Sequence, residues 1–152
     1  MWFNYVLESA LIANITAQLL KIPIHRLLKG KWNPRLALST GGMPSSHSAT
    51  VAALTTSIGI YEGVDTIFFA IAFVFAAVVI YDAMGVRRHA GSHASMLNMM
   101  LDDLIESGDL ALFQDEKYTK RFKELLGHEP AETFFGTIFG IFVAILYSVI
   151  VS

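Results

Sequence analysis

The chain contains no cysteine. That excludes a disulfide scaffold, a zinc ribbon, a thiol nucleophile and an iron–sulfur site. Charge is scarce as well. Asp, Glu, Lys and Arg make up 16% of the 152 residues, where soluble domains carry about 25%. There is no low-complexity tract, and with 54% hydrophobic residues the chain holds too much apolar material to stay disordered. A net charge of −2 argues against nucleic acid as a partner. Residues 1–4 lack a basic run, and no small-x-small cleavage site follows. The first apolar segment therefore reads as a retained helix and not a signal peptide.

The apolar residues that are present form long runs. A membrane-spanning helix needs roughly 20 mostly apolar residues. Residues 64–84 and 130–151 meet that measure, with acids only near their ends. Residues 5–21 are weaker, being interrupted by Glu8, Asn14 and Gln18. Residues 46–61 are rich in Ser, Thr, Ala and Gly, a composition that suits a helix buried among other helices. The expectation is an all-α integral membrane bundle: a single domain over 1–152 with about four transmembrane helices. A polar segment, 85–127, is inserted as a cytoplasmic or interfacial helix pair that turns near Ser107-Gly108-Asp109. In it, apolar residues at 97, 100, 101 and 104 lie on one helical face, suited to packing on the bundle or to lying in the interface.

The basic residues then orient the chain. Lys and Arg occur at 21, 26, 29, 31, 35, 87, 88, 117, 120, 121 and 123. Threading four spans places all of them on one side. The other side receives both termini and the 61–65 turn with Glu62 and Asp65. The positive-inside rule makes the basic side cytoplasmic and leaves both termini outside, with the plasma membrane as the expected location.

Residues able to do chemistry collect on that basic side. Gly41-Gly42-Met43-Pro44-Ser45-Ser46-His47-Ser48 combines permissive glycines with a helix start, whose free N–H groups and dipole favour an anion. Capping alone also explains the serines. In His128-Glu129-Pro130-Ala131-Glu132, Pro130 suits a first helical turn and Glu132 is within reach of His128. A carboxylate on one imidazole nitrogen leaves the other free as a nucleophile. Gly136 and Gly140 permit close helix packing, within the chain or in an assembly. Lys21 ends the first span, with Gln18 one turn earlier. Arg87 and Arg88 follow the third span, with Asp82 about a turn before them. Asn98 reads as structural, and His25 and His89 read as surface residues.

Pro44-Ser45-Ser46-His47 resembles the second signature of the type 2 phosphatidic acid phosphatase superfamily, metal-independent membrane lipid phosphatases related to vanadium haloperoxidases. Gly127-His128-x-Pro-x-Glu132-x-x-x-Gly136 resembles the end of the third. Together with the GVRR segment, the chain is similar to the short, divergent branch of that superfamily. The resemblance implies a double displacement with no cofactor and no metal. His128 attacks phosphorus, Glu132 orients it, and His47 protonates the leaving oxygen. Lys21, Arg87, Arg88 and the backbone at Ser45 and Ser46 hold the phosphoryl oxygens, supported by Asp82 and Gln18.

Three departures stand out. Ser replaces Gly in the second signature and Glu replaces Asp at 132. The Lys-x6-Arg-Pro first signature is not met, which leaves Lys29, Lys31 and Arg35 as rivals to Lys21. Arg87 also lies some forty residues before His128, whereas Arg87-x5-His93 keeps the family spacing. His93, however, has Leu97 at the position of the orienting acid. The expected function is hydrolysis of a lipid phosphate monoester or pyrophosphate: phosphatidate, phosphatidylglycerophosphate or a prenyl phosphate. The alternative is a non-catalytic protein that binds or translocates anionic phospholipid. Substrate and membrane lipids are the expected partners, and there is room for a homo-oligomer.

Overall fold

A computed structural model describes residues 4–30, 32–39, 41–106 and 130–151. Five helices are described: α1 (Tyr5–Lys29), α2 (Ser46–Tyr61), α3 (Ile67–Met84), α4 (Val86–Glu106) and α5 (Pro130–Val151). A 3-10 turn, Pro34–Leu38, sits between α1 and α2. No strand occurs among the described residues. The second half of the inserted segment, 107–129, lies outside them.

Local chemistry sets the helix ends. The Asn4 side chain accepts from the N–H groups of Val6 and Leu7 at 3.0 and 3.3 Å, and Thr66 caps α3 through Phe69 N–H. Gly30, at φ 68°, ends α1 in the left-handed conformation that glycine adopts without strain. The expected first span stopped at residue 21, but α1 runs on to Lys29. Pro23 removes one N–H bond and crowds the Leu19 carbonyl, yet the helix runs through it. Polarity ends an apolar run without ending a helix.

α2 and α5 form the central pair. α1 packs against both, α3 lies mainly against α2, and α4 follows α3 across Gly85 and touches chiefly α3. The core consists of small residues: Ala13, Ala17, Ala49, Ala53, Val143 and Ala144. Large apolar side chains such as Ile71, Phe73, Phe142 and Val149 point outward. That is the pattern of a bundle in lipid, where close backbone approach replaces the hydrophobic drive between helices. α3 with its continuation, and α5, are long and apolar enough to cross a membrane. α2 has 16 residues, and α1 carries polar groups along its length. The chain is an all-α membrane helix protein.

Two features bind the layers together. At Gly136 and Gly140, α5 lies directly on the backbone of α2. A methyl group at Gly136 would overlap the Ser45 carbonyl, and one at Gly140 the Ala49 carbonyl. This face is therefore spent within the chain and is not available to an assembly. Buried polar pairs add to it. Asn14 Nδ2 donates to Thr50 Oγ1 at 2.8 Å and Ser57 Oγ to Ser9 Oγ at 2.8 Å, while Thr55 Oγ1 reaches the Ala72 carbonyl at 3.2 Å. In α4 the buried stripe is Gly91, Ala94 and Asn98. The apolar face at Leu97, Met100 and Leu104 is largely exposed, which leaves it available to an interface and not packed on the bundle.

Candidate functional site

The C-terminal half of α1 and the N-termini of α2 and α5 meet at one end of the bundle. Lys21 is the largest fully buried side chain there, 1% exposed. Its Nζ donates to the Ser39 carbonyl at 3.1 Å, and Gln18 Nε2 donates to the same oxygen at 2.9 Å. The loop that supplies this acceptor is held by Ser39 Oγ, whose one proton is shared between the Leu36 and Gly41 carbonyls at 2.8 and 2.9 Å. Gly42, at φ 94°, carries the chain past the aliphatic stem of Lys21. Glu132, in the first turn of α5, is close enough to Lys21 to act on its charge.

The start of α2 is ordered around Ser45, which is fully buried. Its Oγ accepts from Ser48 N–H at 3.3 Å and from Ser48 Oγ at 3.1 Å, as an N-cap should. Its N–H donates to the Glu132 carbonyl at 3.0 Å. The start of α2 and the first turn of α5 are therefore joined backbone to backbone, and the glycine at 136 makes that approach possible. Ser46, 5% exposed, opens α2.

A cavity of about 100 Å³ lies beside these groups. Lys21, His25, Lys29 and Glu132 line it, together with Ile24, Leu28, Leu36, Gly42 and Met43. His47 does not line it. It lies two residues from both Ser45 and Ala49, which meet α5, so at about 100° per residue it falls on the face of α2 turned from α5. Two rivals for the family lysine share the cavity, Lys21 and Lys29. Lys31 lies outside the described residues, as does the side chain of Arg35. Arg87 and Arg88 open α4, directly after α3 ends at the same side of the bundle, but their side chains are not among those described. Asp82 is half-buried one turn before them. His128 lies outside the described residues, and His93 is exposed on α4. His25, read as a surface residue, proves half-buried and part of the cavity wall. Its spacing of four from Lys21 was the available signal.

This convergence has a counterpart among known sequences. A profile described as the Divergent PAP2 family matches residues 2–143. The chain belongs to the Divergent PAP2 family. It is also 42% identical over 147 residues to a protein of Bacillus subtilis (strain 168) named "Uncharacterized membrane protein YuiD", covering 94% of this chain and 93% of that one. No solved structure matches. The matched residues 2–143 include the end of the bundle where α1, α2 and α5 meet. Among the described residues, Lys21, Glu132 and the Ser45 cap come together there.

Proposed function

We propose that this protein hydrolyses a lipid phosphate monoester or pyrophosphate without a metal ion, at the cytoplasmic boundary of the membrane. The observation that carries the reading is Lys21. Its ammonium is buried beside a helix start and a small cavity, an expensive placement, and among the described residues of the lining Lys21 and Lys29 outnumber Glu132, the one acid. In the family chemistry, His128 attacks phosphorus and forms an N–P bond while the ester oxygen leaves with a proton from His47. Water then cleaves the N–P bond and releases phosphate. Glu132 orients His128, and Lys21, Arg87 and Arg88 stabilise charge on the phosphoryl oxygens. Four spans, with the site on the basic side, bring a lipid headgroup to this level.

One observation favours a second reading. His47 does not line the cavity, which suits a protein that binds or translocates anionic lipid without turnover. Phosphate release by the purified protein in detergent, with EDTA, across a panel of lipid phosphates separates the two. Release that is lost in His128→Ala is expected. No release from any lipid by folded protein transfers the site to binding or translocation.

A further inference from the structure

Lys21, His25 and Lys29 follow one another at intervals of four along α1 and line the same cavity. Residues so spaced share a helix face. They also grade outward: Lys21 is buried, His25 half-buried and Lys29 exposed. Favourable interaction with the helix C-terminus explains a cation in the last turn, but Arg26 already serves there, with its guanidinium over Trp32 at 5.3 Å. The dipole does not explain why three basic groups stand on one stripe facing one cavity. Like charges at that spacing repel, and Glu132 supplies the single acid in the lining among the described residues. The lining is left with a surplus of donors to an anion.

We infer that His25 and Lys29 form a second anion subsite beside Lys21, so that the cavity prefers a diphosphate over a single phosphate. This rests on reading the cavity as the phosphate site. Its size agrees. Space for one water is about 10–15 Å³, and sites for drug-sized ligands run about 300–1,000 Å³. A cavity of about 100 Å³ suits a compact phosphoryl head. Lys21 holds the inner phosphoryl group, while Lys29 and a ring N–H of His25 donate to the outer one. Ile24 and Leu28, on the same helix and wall, offer apolar surface to a chain attached to the diphosphate.

The test is binding by the full-length protein in detergent, measured calorimetrically, so that it stands whether or not turnover occurs. The probes are inorganic phosphate, inorganic pyrophosphate and a short-chain prenyl diphosphate. Wild type should prefer pyrophosphate to phosphate by about tenfold or more, the scale of one added charge-assisted contact. The preference should vanish in the His25→Gln, Lys29→Gln double variant, pyrophosphate losing about tenfold more affinity than phosphate, and should survive in Lys29→Arg. Tighter binding of the prenyl diphosphate than of pyrophosphate marks a lipid ligand. Equal binding marks free pyrophosphate, and both results keep the subsite. Equal affinity of wild type for phosphate and pyrophosphate, or a preference that persists in the double variant, overturns it. If the diphosphate preference holds but no lipid phosphate is hydrolysed, the phosphatase reading falls and the subsite stands.

Discussion

At Lys21 a single side chain sets stability against use. Burying an ammonium is unfavourable, and replacing a buried charge by an apolar residue of similar shape is often neutral or stabilising. Here the Ser39 carbonyl keeps its bond from Gln18 Nε2 at 2.9 Å, and Glu132, which loses the neighbouring charge, is only half-buried at the cavity. Lys21→Met should therefore melt at the same temperature as wild type or higher, while phosphate binding is lost. Thermal unfolding in detergent and calorimetry on the same sample check both halves. A clear fall in melting temperature would make Lys21 structural. Ser45 is the opposite case. Ser45→Ala removes the cap from α2 and should cost about 1 kcal/mol, read as a lower melting temperature. Both residues were legible in the sequence, one as a lone cation ending a span, the other in a helix-start motif. His25 was not, because its role depends on α1 continuing past Lys21, and the apolar pattern stops there.

Among the elements, the α2–α5 contact decides whether the site exists at all. Gly136 and Gly140 meet carbonyl oxygens of α2, and backbone cannot swing aside as a side chain can. Gly140→Ala should destabilise by about 1–3 kcal/mol or more, the range for overpacking a close contact. Gly136→Ala should do the same and also weaken phosphate binding, since it presses on the residue whose N–H meets the Glu132 carbonyl at 3.0 Å. Thr137→Ala, between them in sequence, should stay close to wild type, as its hydroxyl bonds only within its own helix, to the Thr133 carbonyl. Unfolding curves of the three variants make the comparison; equal melting of all three would refute it. The small-xxx-small spacing announced close packing, and the hydroxyl-rich 46–61 segment announced a buried helix, which α2 is. Neither says which helices meet. The pairing of α2 with α5, and hence the loss of that face to any assembly, depends on the three-dimensional path.

For the whole molecule, charge asymmetry can now be placed on the bundle. Lys21, Gly42 and Glu132 share one end, and Arg26 and Lys29 extend α1 beyond it. The opposite end gathers Tyr5, Tyr61 and Tyr147, with the Tyr147 hydroxyl donating to Glu8, and Glu62 follows α2 there. Basic residues at one end, with acids and tyrosines at the other, are what the positive-inside rule and the interfacial preference of aromatics produce in an inserted bundle. The absence of cysteine makes the orientation directly measurable, since any introduced thiol is the sole target. Trp32 is 61% exposed just beyond the basic end, and Glu62 is exposed at the other. In intact cells a membrane-impermeant thiol reagent should label Glu62→Cys and spare Trp32→Cys until the membrane is opened. The reverse pattern would turn the cavity outward and make the outer leaflet the source of its ligand. Labelling of both without opening the membrane would mean that the two ends share a side, which would refute the four-span arrangement while leaving the helix packing intact.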